Sequence, residues 1–409
     1  MKSKRESNAC CRYGQISFFA LRGFFFLCVF CIVPVAKAND FGVILDQTAS
    51  YGGIEENSVE YSGNLIPRYQ ALLGNNGELY ISAGFKYEYI YETPRFVPEL
   101  LRTEVSFQFD RTDLTAGRMF YSDPLGFVAS GLFDGARMSL ISDYGSFGIG
   151  AWYTGFLYKE RANIAMTESE LESFMAELDF GNFSNTYFAP KRFLAAFDWE
   201  HLNLGSLMAW ASLIAQFDIE GSLNSQYVTG KVTWPIGIMS IDLGGCAQLI
   251  QDDGEFGFAW AGVVGVRAVF GKSGVSLLGR FTGANFGYSP LSAFIPVTTN
   301  AMGEIFNVKL SGVSCITAEY SIRPLQKFSV TASGTCFILS DNETFSGYPV
   351  SEGNDGYFLG TEILAKIMWS PFSDLQFNLK GGAFLPSLGN AARDAGVQWR
   401  IELNVIFGL

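Results

Sequence analysis

The stretch Val397–Leu409, VQWRIELNVIFGL, decides the fold class. Val397, Trp399, Ile401, Leu403, Val405, Phe407 and Leu409 share one parity, and Gln398, Arg400, Glu402 and Asn404 share the other. A period of two is that of a β-strand with one face in an apolar medium and the other near water. The pattern runs to Leu409, so nothing downstream is expected to cover an edge. A last strand that must pair on both sides predicts a closed barrel, the only strand architecture that satisfies every backbone group in a membrane.

The same alternation recurs upstream. Leu79, Ile81, Ala83, Phe85, Tyr87, Tyr89 and Tyr91 form one apolar stripe, against Glu78, Ser82, Lys86 and Glu88. Leu101, Val105, Phe107 and Phe109 are read as another, backed by Arg102, Glu104, Gln108 and Asp110. Phe193–Trp199, Leu207–Phe217, Phe256–Phe270, Leu359–Trp369 and Leu375–Ala383 alternate likewise. Phe306, Val308, Leu310, Ile316, Ala318, Tyr320 and Ile322 keep one parity, which predicts a single long strand.

Short connections rich in Gly, Pro, Asn and Asp are expected at 74–77, 111–113, 203–205, 235–237, 271–274, 323–326 and 370–374. Longer ones fall near 92–99, 121–133, 159–191, 284–303, 339–356 and 386–396. Short and long alternate, as in outer-membrane barrels with tight periplasmic turns and longer outer loops. Placing every long loop on one side gives about eighteen strands, with sixteen and twenty left open. Aromatics sort by level: Tyr87, Tyr89, Tyr91, Phe193, Phe256, Phe258 and Trp260 toward the long loops, and Phe107, Phe109, Trp199, Trp234, Tyr320, Trp369 and Phe407 toward the short turns. Two such belts are expected at the two membrane–water interfaces.

Residues 1–38 have the layout of an export signal. Lys2, Lys4, Arg5, Arg12 and Arg22 precede the apolar run Gly23–Val35, and Ala36-Lys37-Ala38 supplies small residues for cleavage before Asn39. The barrel domain is then 39–409, a single domain without internal repeats, with 22 basic and 39 acidic residues and a net charge of −17. That balance argues against nucleic acid, which is bound by basic surfaces. Cys246, Cys315 and Cys336 remain after cleavage; Cys315 and Cys336 fall on opposite faces of neighbouring strands, so no disulfide is expected. Thr167-Glu168-Ser169-Glu170 is a capping box ahead of Leu171, Phe174, Met175 and Leu178, predicting one short helix in the 159–191 loop, either folded inward or lying on the rim.

With the aliphatic face toward lipid, the opposite face lines the interior. Its pore-lining candidates are Arg102, Glu104, Asp110, Arg137, Lys231, Arg267, Arg280, Lys309, Glu362, Lys366, Lys380, Arg400 and Glu402, with the basic ones concentrated on the later strands. About eighteen strands leave room for an aqueous channel, whereas about eight are filled by side chains. Trp152, Tyr158, Trp210 and Tyr227 share the inward parity and are candidates for stacking on sugars, or packing residues at loop bases. Acidic clusters at Asp252, Asp253 and Glu255, and at Asp341, Glu343, Glu352 and Asp355, match no calcium-loop spacing and read as a solvated rim. His201 is the lone histidine and lies just before a short turn, which favours a girdle residue over a general base. No catalytic, metal or cofactor-binding residue is assigned.

The segment Leu114–Leu140, LTAGRMFYSDPLGFVASGLFDGARMSL, resembles one found in alginate-export-type and related substrate-specific outer-membrane porins. The resemblance implies that Arg118 and Arg137 are pore-lining cations beside a loop, with Asp134 near them. Parity places Arg137 inward and does not decide Arg118. Leu409 stands where many such barrels end in Phe, although Phe407 keeps the apolar parity. The expectation is therefore an all-β transmembrane antiparallel barrel in a bacterial outer membrane, acting as a porin for passive, selective diffusion of small polar solutes. Its partners would be outer-membrane lipid, the barrel-assembly machinery through the C-terminal strand, and the solute, with a homo-oligomer left open. The alternatives are a fatty-acid-type transporter of hydrophobic substrates and a surface-display barrel without transport.

Overall fold

A computed structural model describes residues 36–53, 57–90, 93–283, 293–340, 356–390 and 396–409. The export segment through residue 35, Tyr91 and the acidic cluster at 341–355 lie outside the described residues. Eighteen strands form one antiparallel sheet: β1 Ala36–Gly53, β2 Asn57–Leu73, β3 Gly77–Ile90, β4 Thr93–Phe109, β5 Thr112–Ser122, β6 Ser130–Ser142, β7 Gly145–Tyr153, β8 Arg192–Leu204, β9 Leu207–Asp218, β10 Asn224–Ile236, β11 Met239–Asp252, β12 Glu255–Phe270, β13 Ser273–Thr282, β14 Val313–Leu325, β15 Phe328–Leu339, β16 Phe358–Trp369, β17 Leu375–Leu385 and β18 Gln398–Gly408. Each strand pairs with its sequence neighbours, and β1 pairs with β18 from Ile44↔Gly408 to Gly53↔Trp399. The seam ends where the Val43 and Leu409 amides each donate to the other's carbonyl, at 3.0 and 2.8 Å. The sheet has no free edge, as the terminal alternation predicts. β1 is drawn from Ala36, and its continuous register with β2 starts at Asn39↔Ala71.

The parities hold where the expected strands form. Tyr51, Tyr61, Tyr87, Phe197, Leu213, Phe258, Ile363 and Leu403 are exposed on the outer wall, as a lipid-facing surface requires. Cys315 faces inward and Cys336 outward on paired strands, and both are free thiols. Two of the predicted segments differ. Ser82 of β3 faces both Leu101 and Arg102 of β4, because Ala83 pairs with Leu100 and Ile81 with Thr103. The Ser82 hydroxyl accepts from the Arg102 amide at 3.1 Å and lies 3.3 Å from the Arg102 carbonyl, to which it donates. One extra residue reverses parity. Leu101 therefore turns inward, while Val105, Phe107 and Phe109 stay outward. Residues 93–99, expected as a loop, continue β4 instead. The second difference is at 306–310, which is not strand: β14 starts at Val313, and Phe306, Val308 and Leu310 are buried inside the barrel. Their shared parity comes from packing within an inward-folded connection.

The connections sort as expected by end. One end has the tight turns, including 143–144, which has the same form. Among the described residues the other end carries long excursions at 123–129 and 154–191, the 293–312 part of a third, and a tight hairpin at 253–254. The 154–191 excursion holds three short helices, α1 Lys159–Ala162, α2 Glu168–Met175 and α3 Phe183–Thr186, where one was expected. The capping box of α2 is formed by Thr167 and Glu170.

The β5–β6 hairpin leaves the wall near its tip. Pairing of β4 with β5 ends at Thr103↔Arg118, and pairing of β6 with β7 ends at Asp134↔Tyr153. Just below, Gly117 and Gly135 are partners. Gly117 has φ +120°, and a Cβ there would lie 2.1 Å from the Thr103 carbonyl oxygen; one at Gly135 would lie 2.0 Å from that of Ala151. Only glycine lets both strands bend here. Beyond the bend Met119, Tyr121 and Phe133 enter the interior cluster. Gly117→Val is expected to cost about 2–4 kcal/mol through backbone strain. A lowered temperature for the heat-induced mobility shift of the refolded barrel in detergent gels checks it, and Gly131→Val, with no heavy atom within 4 Å of its Cβ, is the neutral control.

Candidate functional site

Three connections fold into the barrel from the long-loop end and hold one another by backbone hydrogen bonds. The Asp123 carboxylate turns the 123–129 segment by accepting the amides of Leu125, Gly126, Val128 and Ala129 at 2.8–3.1 Å. The Val128 carbonyl then accepts from Val297 and Thr298, and Thr298 forms an isolated bridge with Ile164 of the helical excursion. From the wall, Tyr227 and Gln248 donate to the Ile295 carbonyl at 2.7 and 2.8 Å, and Gln248 also accepts the Ile295 amide. Phe127, Val128, Ile164, Phe294, Val297, Val308 and Leu310 fill the space between. Buried polar side chains here satisfy loop backbone that water no longer reaches.

The helical excursion is both inside and at the rim. Ile164 and Ala165 are buried in the interior cluster, whereas Leu171 and Met175 of α2 are 47 % and 73 % exposed. Arg192, at the inward start of β8 and fully buried, binds Glu170 of α2 through both terminal nitrogens at 2.6 and 2.7 Å and Asp218 at 2.9 Å. The Lys159 ammonium donates to the Ser173 and Ala176 carbonyls at the end of α2. Charged hydrogen bonds of this kind fix a loop through the groups they engage; both terminal nitrogens of Arg192 are engaged, while its Nε and Asp218 Oδ2 are buried without a partner.

The interior apolar cluster takes residues from β5–β12 and β14–β17 and none from β18, β1, β2 or β3. Along that sector the inward positions include Asp46, Thr48, Ser50, Glu60, Asn64, Arg400, Glu402 and Asn404, with Asn404 donating to Asp46 and Thr48, while Ile44, Ile66 and Ile406 keep the same parity toward the short-turn end. Among the described residues this is the wall that the infolded loops leave uncovered.

Eleven of the thirteen candidate lining residues sit on strands at inward register positions. The other two do not: Asp110 lies in the β4–β5 turn, and Lys309 lies in the 283–312 connection, bridged to Ala301. Near the short-turn end, Arg102, Glu104, Asp110 and Arg137 border a hollow of about 880 Å³ with Glu78 and Asp113. Arg267 borders another of about 930 Å³ with Lys272, Glu319 and Arg323. The strands of the two hollows are roughly half the barrel apart, so a wall with four acids and two bases faces one with three bases and one acid. Arg137 also pairs with Asp198 at 3.3 Å, which accepts from Tyr121 and Ser212. Lys231 lies over the Trp210 ring at 6.0 Å, while Arg280 is half-buried on β13 opposite Cys315.

Lys366, Lys380, Arg400 and Glu402 form a ladder across β16, β17 and β18. Lys366 pairs in register with Lys380, and Lys380 with Glu402. Glu402 lies 2.9 Å from Lys380 and 3.5 Å from Arg400, and Arg400 reaches Glu60 at 2.9 Å. Glu362 on β16 is buried and does not line open space. Its carboxylate accepts the amides of Glu304, Ile305 and Phe306 at 2.8–3.1 Å, pinning the 283–312 connection to the wall. The Glu304 side chain then meets Lys366 at 2.7 Å and Lys380 at 3.2 Å.

Several other readings change. Arg118 is not a lumen cation: it shares parity with Leu114, which is exposed on the outer wall, and is itself buried. Its guanidinium holds Asp134 at 2.8 Å through two nitrogens and donates to the Leu100 and Phe156 carbonyls. Trp152, Tyr158 and Tyr227 are packed in buried clusters, leaving Trp210 as the half-exposed inward aromatic of the four. His201 stacks edge-on against Trp199 beside the short turn. Asp252, Asp253 and Glu255 form a tight hairpin, and the described residues contain no group of potential metal ligands. Glu304, Glu60 and Asp123 are absent from the sequence-based candidates because they lie in a connection, in a poorly marked strand and in a turn. The only sign of Glu304 is Gly303 before it, where a Cβ would sit 2.7 Å from a Glu362 oxygen.

Burial raises the pKa of Glu304, but its bonds and proximity to Lys366 and Lys380 outweigh this and hold it below the ordinary carboxylate value. A depressed pKa means that these ion pairs are complete above the usual carboxylate range and are lost as pH falls through the lowered value. They engage the two ammonium groups and not the loop backbone, so Glu304→Gln should leave hydrogen exchange of the 304–306 amides at pH 7 unchanged. Glu362→Gln should raise it, since hydrogen bonds to a charged acceptor contribute about 1.5–3 kcal/mol.

No sequence-family profile matches the chain, and no curated protein does. Solved structures do match. The Pseudomonas aeruginosa protein OccK2 (OpdF), solved in complex with glucuronate, aligns with a TM-score of 0.64 at 10 % identity, over 92 % of this chain and 99 % of that one. The outer membrane protein OpdK of Pseudomonas aeruginosa aligns with a TM-score of 0.61 at 11 % identity, over 92 % and 99 %. OccAB4 of Acinetobacter baumannii gives 0.60 at 11 % identity, over 91 % and 98 %. At such identities the likeness is one of fold: this chain has the closed eighteen-stranded antiparallel barrel fold that these outer-membrane proteins share.

Proposed function

We propose that this protein is an outer-membrane porin for passive diffusion of small polar solutes. The observation that carries the reading is the polar β18–β1–β2 sector, which the interior apolar cluster leaves uncovered in an otherwise loop-filled barrel. A hydrated solute crossing hydrocarbon loses its water contacts, and a lining of hydroxyls, amides and paired charges replaces them. The infolded connections set the size limit, and the opposed acidic and basic walls orient a dipolar or charged solute below it. The glucuronate complex of one fold relative makes small hydroxylated anions a sensible first set to test here. The reading needs no chemistry, cofactor or metal. Of the thirteen candidates, Glu362 enters it as a loop anchor and the ten other strand-borne residues as the lumen's charge pattern.

The polar sector disfavours a route for hydrophobic substrates, which requires an apolar path. Insertion of the purified chain into planar bilayers should give discrete conductance steps, and proteoliposomes should swell in small sugars but not in large oligosaccharides. A barrel that folds and inserts yet stays electrically silent and osmotically tight would sink the porin reading in favour of surface display.

A further inference from the structure

We propose that Glu304 is a displaceable counter-charge that sets the ion selectivity of the lumen by masking Lys366 and Lys380. The inference rests on the porin reading for its consequence, but not for its structural content. Glu402 and Glu60 also neutralise the β16–β18 ladder, but they are strand residues locked in register. Glu304 instead reaches the ladder from a connection. Its backbone is held independently of its carboxylate, through the Glu362 bonds to three successive amides and the stacking of Phe306 on Phe384 at 4.0 Å between ring centres. The side chain can therefore leave the two ammonium groups without undoing the loop. It is also 41 % exposed, so a solute anion can reach the same place. Lys380 keeps Glu402 when Glu304 leaves, whereas among the described residues Lys366 forms its ion pair with Glu304. Removing that single carboxylate would therefore uncover positive charge at the edge of the open sector. A charge at a narrow, low-dielectric lining weighs heavily on ion selectivity.

Glu304→Gln tests this with two readouts. In planar bilayers under a KCl gradient, the variant's reversal potential should shift toward chloride, with the permeability ratio changing several-fold, and adding Lys366→Gln should reverse most of the shift. In detergent, with no conduction involved, trinitrobenzenesulfonate labelling followed by mass spectrometry reads the masking itself. Lys366 should react several-fold faster in the variant than in the unsubstituted chain, because loss of the carboxylate frees the ammonium and opens access to it. Lys272 and Lys327, at the short turns, should react equally in both. Equal Lys366 labelling in the two proteins overturns the masking claim whether or not the barrel conducts. Faster labelling with an unchanged reversal potential in a conducting barrel overturns the selectivity claim. Faster labelling in a barrel that never conducts leaves Glu304 a mask and removes the porin reading instead.

Discussion

Every backbone N–H and C=O inside hydrocarbon must find a partner within the protein, and each failure costs several kcal/mol. That rule is why β18 pairs with β1 as well as β17 and why the register of this seam is unbroken over ten residue pairs. It also explains why alternation is so strict at Val397–Leu409. A strand with lipid on one face and water on the other has no freedom to slip by one residue, since a slip would exchange the two faces completely. Where the chain does shift parity, at Ser82 and Arg102, a hydroxyl covers the amide and carbonyl that the bulge displaces from the ladder.

Closure with this many strands creates the next problem. The interior of an eighteen-stranded barrel is too wide for side chains from its own wall to fill. Here the long-loop end is filled by three connections instead, and their backbone brings unpaired amides and carbonyls inside. The wall answers with buried acceptors and donors aimed at loop backbone: Gln248 and Tyr227 for Ile295, Glu362 for 304–306, and Asp123 for its own turn. A polar inward residue can thus serve the passage or serve a loop. Glu362 and Lys366, two turns of the pleat apart on one face of β16, do one each.

This division explains which features were legible in the sequence. Strand parity, the strand count and the α2 capping box follow from local spacing, and local spacing is what a membrane wall enforces. The stripe from Phe306 to Ile322 misled because residues packed between loops also alternate when each has neighbours on one side. Leu101 misled because a bulge is invisible to a period-two count. Glu304 carries no periodic mark at all: its position is fixed by amides of its own segment and by a glutamate more than fifty residues later. Contacts of that separation are written in no single stretch of sequence. For the same reason, Trp152 and Tyr227 looked available for sugars until the loops that cover them were placed.

The Gly-Arg and Asp-Gly pairs of the 114–140 segment show how far the backbone rule reaches. The family resemblance implied that Arg118 is a lumen cation, yet the glycines bend the hairpin and Arg118 turns to the outer side with Asp134. An ion pair on the lipid-facing parity of a barrel is costly unless something compensates it. The compensation is local: above Thr103 the β4 backbone loses β5 as a neighbour, so the Leu100 carbonyl would be left without a partner, and the Phe156 carbonyl of the entering loop would be left likewise. One guanidinium donates to both, through Nη1 to Leu100 and Nη2 to Phe156, and holds Asp134 through Nε and the same Nη2, a donor set that lysine, with a single nitrogen, does not offer in this planar arrangement. The motif therefore reads as the closure of a fork in the wall. Its chemistry is that of the seam between β1 and β18, carried out by a side chain where no strand is available.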